Sequence, residues 1–187
     1  MSHNTLSDAI PSELGSATAL RGLLLESNTL TGVLPAELAA LTDLGFLRAG
    51  SNDFAPSTIP SFVYGLTNLT ELRLEAANLT GPIEEGIGNL VGLTSLRLHE
   101  NSLSGSLPVG IGNLLNLLEL QVQINVFSGS VPSEIGQLGA LTDLRLETNF
   151  FNETLPSEIG QLSSLGEFTE QPHGMLWLQN TNAPRLQ

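Results

Sequence analysis

Cysteine is missing altogether from this 187-residue chain, so neither a disulfide framework nor a thiolate metal site can hold it together, and its redox compartment is not readable from thiols. Lysine is missing too: the six basic residues are all arginine, against 19 acidic ones, for a formal net charge of −13. A surface of that sign repels phosphate backbones and anionic lipid headgroups, which argues against nucleic acid as a partner. No run approaches the roughly 18 consecutive apolar residues that a membrane helix needs. The opening Met1-Ser2-His3-Asn4 has no basic region and no apolar signal core, so neither targeting nor direct membrane insertion is expected of this segment. Histidine is scarce: His3 is terminal, His99 falls on an open sheet and His173 at a fraying end. A nucleophilic triad needs a pocketed His held by a carboxylate beside a Ser, so no catalytic residue, enzyme activity or cofactor is assigned. No Asp-rich loop with calcium spacing accompanies the acidic residues, so no metal is assigned either. Charged residues amount to only 13% while apolar ones reach 41%, a balance that excludes disorder and is sufficient for one sizeable core.

What is present is repetition. One pattern, LxxLxLxxNxLxGxLP followed by a polar turn and another Leu, recurs down the chain. Its Asn position falls at Asn4, Asn28, Asn52, Ala77, Asn101, Asn125, Asn149 and His173, so the steps are 24, 24, 25, 24, 24, 24 and 24 residues. The longer step coincides with one extra residue before Pro60, in NDFAPSTIP, where neighbouring coils have the length of NSLSGSLP.

Each position in the repeat has a physical reason. Segments such as LTELRLEAAN and LTSLRLHEN alternate apolar and polar residues, the pattern of a short strand with one buried face, so Leu72 and Leu74 point inward while Glu71, Arg73 and Glu75 point outward. One such strand cannot bury its apolar face alone. Coils stacked about 4.8 Å apart pair every strand in parallel and share one leucine core. The Asn after each strand belongs inside the bend, pairing with backbone groups that the turn leaves open, a role that Ala77 cannot fill. Gly32, Gly81, Gly105 and Gly129 suit a turn with unusual backbone angles. Pro35, Pro108, Pro132 and Pro156 fix φ, and Ser133-Glu134 or Ser157-Glu158 can then start a short helical turn that ends at Gly136 or Gly160.

The runs NSLSGSLPVGIGNL, FSGSVPSEIGQL and NETLPSEIGQL resemble the plant-type leucine-rich repeats of receptor-like kinases, receptor-like proteins and polygalacturonase-inhibiting proteins, over about residues 4–168. The resemblance implies an α/β fold: a right-handed leucine-rich-repeat solenoid with a parallel β-sheet on the concave face and short 3-10 turns on the convex face. It further implies a single domain over residues 1–187 and recognition of peptides, proteins or co-receptors, mostly outside the cell. Two features depart from the family. Its ectodomains usually carry cysteine-paired caps, absent here, and LGEFTEQPH keeps Leu165 and Phe168 but places Glu170 at the next inward position, ahead of Pro172. Residues 169–187 therefore read as a degenerate tail. Either Met175, Leu176, Trp177 and Leu178 fold over the last coil as a makeshift cap, or the segment is a gene-boundary artefact. On both readings a fragment is expected rather than a complete receptor.

Outward residues of the strands should form three columns across the sheet. The middle one is Leu24, Arg48, Arg73, Arg97, Gln121, Arg145 and Thr169. Gly22, Phe46, Glu71, Ser95, Glu119, Asp143 and Glu167 flank it on one side, and Glu26, Gly50, Glu75, His99, Gln123, Glu147 and Gln171 on the other. One reading is that these charges merely compensate one another across strands. The other is a ligand track for a protein or peptide, built from Phe46, Arg48, Glu71, Arg73, Glu75, Arg97, His99, Gln121, Arg145 and Glu147, with arginine forks engaging a carboxylate and Phe46 and Leu24 offering apolar contact.

Three Asn-x-Thr triplets, at Asn68, Asn78 and Asn152, fall in expected turns or outer segments where N-glycosylation is tolerated. They accord with an extracellular or cell-surface location without requiring it. The lack of cysteine and of a signal sequence favours the alternative, a cytoplasmic interaction scaffold.

Overall fold

The computed structural model describes residues 4–169. The expectations about His3, His173 and the tail from Glu170 onward lie outside those residues.

Thirteen short strands alternate with 3-10 turns in the described chain: β1 (Ser7–Ala9), β2 (Gly22–Leu24), β3 (Thr29–Thr31), β4 (Phe46–Arg48), β5 (Glu71–Arg73), β6 (Thr80–Gly81), β7 (Ser95–Arg97), β8 (Ser102–Gly105), β9 (Glu119–Gln121), β10 (Val126–Gly129), β11 (Asp143–Arg145), β12 (Phe150–Phe151) and β13 (Glu167–Thr169). The main sheet is parallel throughout, in the order β13-β11-β9-β7-β5-β4-β2. Its register sets Leu47 beside Leu72, Leu72 beside Leu96, Leu96 beside Leu120 and Leu120 beside Leu144. All five side chains are fully buried, so the alternation read from sequence is the in-and-out alternation of one leucine core.

The Asn ladder is where expected. Asn125 donates from Nδ2 to the carbonyls of Leu98, Val122 and Gln123, and its Oδ1 accepts from the N–H of Leu103 in the preceding coil. Asn52, Asn101 and Asn149 repeat the arrangement. This holds a turn with an unfavourable backbone: the residue before each Asn position, namely Ser27, Ser51, Ala76, Glu100, Ile124 and Thr148, has φ between 47 and 57° although none is glycine. Gly32, Gly81, Gly105 and Gly129 take φ of 70 to 77°, as their place in the pattern required.

A second parallel sheet, unforeseen in the sequence, follows those Asn turns. It has four strands in the order β12-β10-β8-β6, with β1 and β3 pairing separately. Between the two parts the ladder is reduced to a bridge from Ser57 to Leu79 and a hydrogen bond from the Ala55 N–H to the Gly32 carbonyl, because the coil with the extra residue carries Ala55-Pro56 where its neighbours form ladder. Behind this sheet Phe127 and Phe151 stack with ring centroids 6.2 Å apart.

The outer turns are 3-10 helices, each preceded by an extended residue, in most coils a proline; Pro132, at φ −67°, leads into Ser133–Gln137. The turn starts at Ser133 as expected, and the Ser133 hydroxyl donates to the Glu134 carboxylate. One expectation needs correction: Gly136 does not end the turn, which runs to Gln137; a Cβ there would lie 2.6 Å from the backbone oxygen of Glu158, so its glycine serves the close approach of successive turns.

Candidate functional site

The main sheet presents the three columns in the expected register, with Arg48 beside Arg73, Arg73 beside Arg97, and Arg97 beside Gln121. Like charges on neighbouring strands repel, and the structure shows what offsets them. Arg48 reaches Glu71 Oε2 at 2.7 Å, and Arg73 reaches the same oxygen at 3.0 Å. Arg97 donates from Nε and Nη2 to Glu119 Oε2 at 3.1 and 2.8 Å. Arg145 holds Asp143 at 3.0 Å and Glu167 at 3.1 Å. Gln121, deeply buried, donates to Asp143 Oδ2 at 2.7 Å.

The electrostatics follow from this pairing. Burial alone would push the Glu119 carboxyl up. The hydrogen bonds from Arg97 and Ser95, with the charges of Arg97 and Arg73, outweigh it and hold the group below the usual glutamate range. Asp143 acts reciprocally on Arg145, raising its already high pKa further. Ser95, which stands in the outward column, is nonetheless buried, covered by Glu119, whose Oε2 accepts from its hydroxyl at 3.0 Å. The acidic column is thus largely engaged with arginine, and among the described residues no three His, Asp or Glu side chains converge to hold a metal ion.

The column beyond the strand ends differs. Its residues stay in register because Ser51 donates to the Glu75 carbonyl, Ala76 to that of His99, Glu100 to that of Gln123 and Ile124 to that of Glu147. Yet Glu26 Oε2, Glu75 Oε2, His99 Nδ1 and Gln123 Oε1 are all sealed from solvent without a hydrogen-bond partner, as is Arg73 Nε in the middle column. His99 faces Glu100 only loosely, Nε2 lying 4.0 Å from Oε1. Glu75 folds back over its neighbour: a Cβ on Gly50 would stand 2.6 Å from Glu75 Cδ. Of this group Glu26 and Gln123 were not singled out from sequence, though the 24-residue spacing already placed both in the column.

At the end of the sheet nearest β2, Leu24 is 56% exposed and Phe46 40%, with the Arg48 guanidinium 5.9 Å from the Phe46 ring centre. The ten candidate binding residues therefore share one face, apolar at one end and charged along the rest. Asn68, Asn78 and Asn152 are exposed; the first two donate from Nδ2 to the carbonyls of Thr42 and Phe54. No helix among the described residues is long and apolar enough to cross a membrane.

Comparison with known proteins places these features in context. The leucine-rich-repeat family model matches residues 92–114. No curated protein matches the chain. Among solved structures, the chain is similar to the ectodomain of the Arabidopsis receptor kinase HAESA in complex with an N-terminally extended IDA peptide hormone, with 35% identity and a TM-score of 0.86, covering 91% of this chain and 29% of that one. It is similar to the PEPR1–AtPEP1 structure at 33% identity and a TM-score of 0.80, covering 87% of this chain and 22% of the other. A leucine-rich-repeat protein of Leptospira interrogans, LIC12759, gives 35% identity and a TM-score of 0.75, covering 92% of this chain and 41% of its own. The chain thus spans less than a third of the receptor ectodomains and less than half of the bacterial protein.

Proposed function

We propose, from the premise that the chain belongs to the plant-type leucine-rich repeats, that it is a non-catalytic recognition module binding an extended peptide or protein segment across its concave sheet. The observation that carries this is the three-column face itself: outward side chains repeat at strand spacing over seven parallel strands and begin with an exposed Leu24–Phe46 patch. A regular row of polar groups beside an apolar foothold suits a ligand whose own side chains alternate along an extended backbone. Similarity to a receptor-kinase ectodomain solved with a peptide hormone supports the same class of ligand.

On this reading the candidate residues Phe46, Arg48, Glu71, Arg73, Glu75, Arg97, His99, Gln121, Arg145 and Glu147 line the ligand path. The protein belongs to the receptor-like or inhibitor-like kind and works outside the cell or at its surface. Exposure of the three sequon asparagines is compatible with that location. A random peptide library selected on the immobilised chain tests the proposal, with the contact surface mapped by amide NMR shifts. Selected peptides should perturb β4, β5, β7 and β9. Perturbation confined to the second sheet or the 3-10 turns would refute the reading, as would a library from which nothing is retained.

A further inference from the structure

Resting on the concave-face reading, we infer that the ligand anchors there through a basic side chain, a guanidinium laid along the row Glu75, His99 and Gln123, and not through a carboxylate on the arginines. Arg48, Arg97 and Arg145 already spend their forks on Glu71, Glu119, Asp143 and Glu167 at 2.7 to 3.1 Å, so an incoming anion would have to displace a bound carboxylate. The unspent hydrogen-bonding capacity lies one column away. Glu75 Oε2, His99 Nδ1 and Gln123 Oε1 stand on three successive coils, each sealed from water and without a partner, and Gln123 as a residue is only 8% exposed. All three atoms accept hydrogen bonds, His99 Nδ1 in the tautomer that keeps its proton on Nε2.

Each of the three side chains belongs to an outward column and its acceptor has no protein partner to give up, so turning that acceptor out to the ligand breaks no hydrogen bond and makes one. A guanidinium suits the row because its several N–H groups lie in one plane and can meet acceptors on neighbouring coils, where an ammonium is a single point. Gly50 makes the row possible, since its missing Cβ leaves the space into which the Glu75 carboxylate folds.

The library selection described above tests this through the composition of what it retains. Arginine should be enriched at one position. A fluorescent synthetic copy of a retained peptide should bind about tenfold more weakly to Glu75→Gln, the loss of one charge-assisted bond, and no more weakly to Glu134→Gln, on the outer 3-10 turn. Unchanged far-UV circular dichroism of both variants keeps the comparison to binding alone. Enrichment of Asp or Glu with loss of binding on Arg97→Ala would overturn the inference, and so would arginine peptides indifferent to Glu75→Gln. Peptides held on the concave face with no shared basic residue would overturn it while leaving the broader reading intact; an empty selection would remove both.

Discussion

Asn101 supports a coil that has alanine in place of the ladder asparagine: its Oδ1 accepts from the N–H of Ala77 at 3.0 Å as well as from the N–H of Leu79 at 2.9 Å. In the coils of Asn101 and Asn125 the corresponding N–H goes instead to a backbone carbonyl of the next coil, Ile124 or Thr148. The alanine coil therefore closes its turn on a neighbour's side chain. It packs Ala77 into the core, beside a narrow apolar recess lined by Phe54, Leu74 and Leu79.

Asn101→Ala should for that reason cost more than the same change elsewhere in the ladder. It removes three donations to the carbonyls of Leu74, Leu98 and His99 and two acceptances spread over the alanine coil. At about 1 kcal/mol for each bond whose buried partner is left open, a loss of roughly 3–5 kcal/mol is expected by urea unfolding, against a smaller loss for Asn28→Ala at the exposed end. Equal losses at the two sites would show that Asn101 does not serve two coils.

The left-handed residue before each Asn suggests the opposite change. Ile124 is β-branched, 46% exposed, and held at φ 56°, a conformation that its side chain opposes. Asparagine tolerates it, so Ile124→Asn should raise stability by about 1 kcal/mol, read as a higher urea midpoint. A lower midpoint would mean that the isoleucine contributes packing which outweighs its backbone strain.

Gly136 and Gly139 look alike in sequence and should behave differently. A Cβ on Gly136 meets Glu158 Cβ and backbone oxygen at 2.6 Å, whereas one on Gly139 meets nothing within 4 Å. Gly136→Ala should destabilise by roughly 1–3 kcal/mol through overpacking. Gly139→Ala should be neutral or stabilise by up to about 1 kcal/mol through the unfolded chain. Thermal melts of the two variants check the pair.

These glycines also mark where sequence reading stopped. Its 24-residue period located the strands, the Asn turns and all three columns, because each is set by local alternation and by one residue of distinctive chemistry. The second sheet was not legible: two to four residues of ladder leave no alternation long enough to distinguish from a turn, and Gly105 and Gly129 spoke for the turn alone. Nor could sequence divide the charges, since Glu71 and Glu75 are equally outward yet one holds two arginines while the other folds onto Gly50 with an oxygen unpaired. That difference arises from rotamers, which no periodicity encodes.

Glu119 should make stability depend on pH in the acid range. Its carboxyl is held below the usual range in the folded state, so the stabilisation is complete above the pKa of an ordinary unfolded glutamate and is lost as pH falls through the folded value. Glu119→Gln should therefore flatten this part of the curve of stability against pH, with little change in slope nearer neutrality. An NMR titration of the Glu119 carboxyl provides the direct check: a midpoint at or above that of a glutamate in a free peptide would contradict the Arg97–Ser95 arrangement.

Gly50→Ala separates the fold from the face. The added methyl would meet the Glu75 backbone oxygen at 2.7 Å as well as its carboxylate, so turning the side chain away cannot relieve the contact and the coils must part locally. A cost of about 1–3 kcal/mol is expected, spread over the coil of Gly50 and the one beside it, because in a stacked solenoid each coil touches only its neighbours. Amide hydrogen exchange should quicken at Ser27 and Ser51, whose N–H groups donate to the carbonyls of Gly50 and Glu75, and stay unchanged at Leu144, three coils away from β5. If protection at Ser51 survives the substitution, Glu75 has room to move, and Gly50 is not what keeps its carboxylate folded onto the sheet.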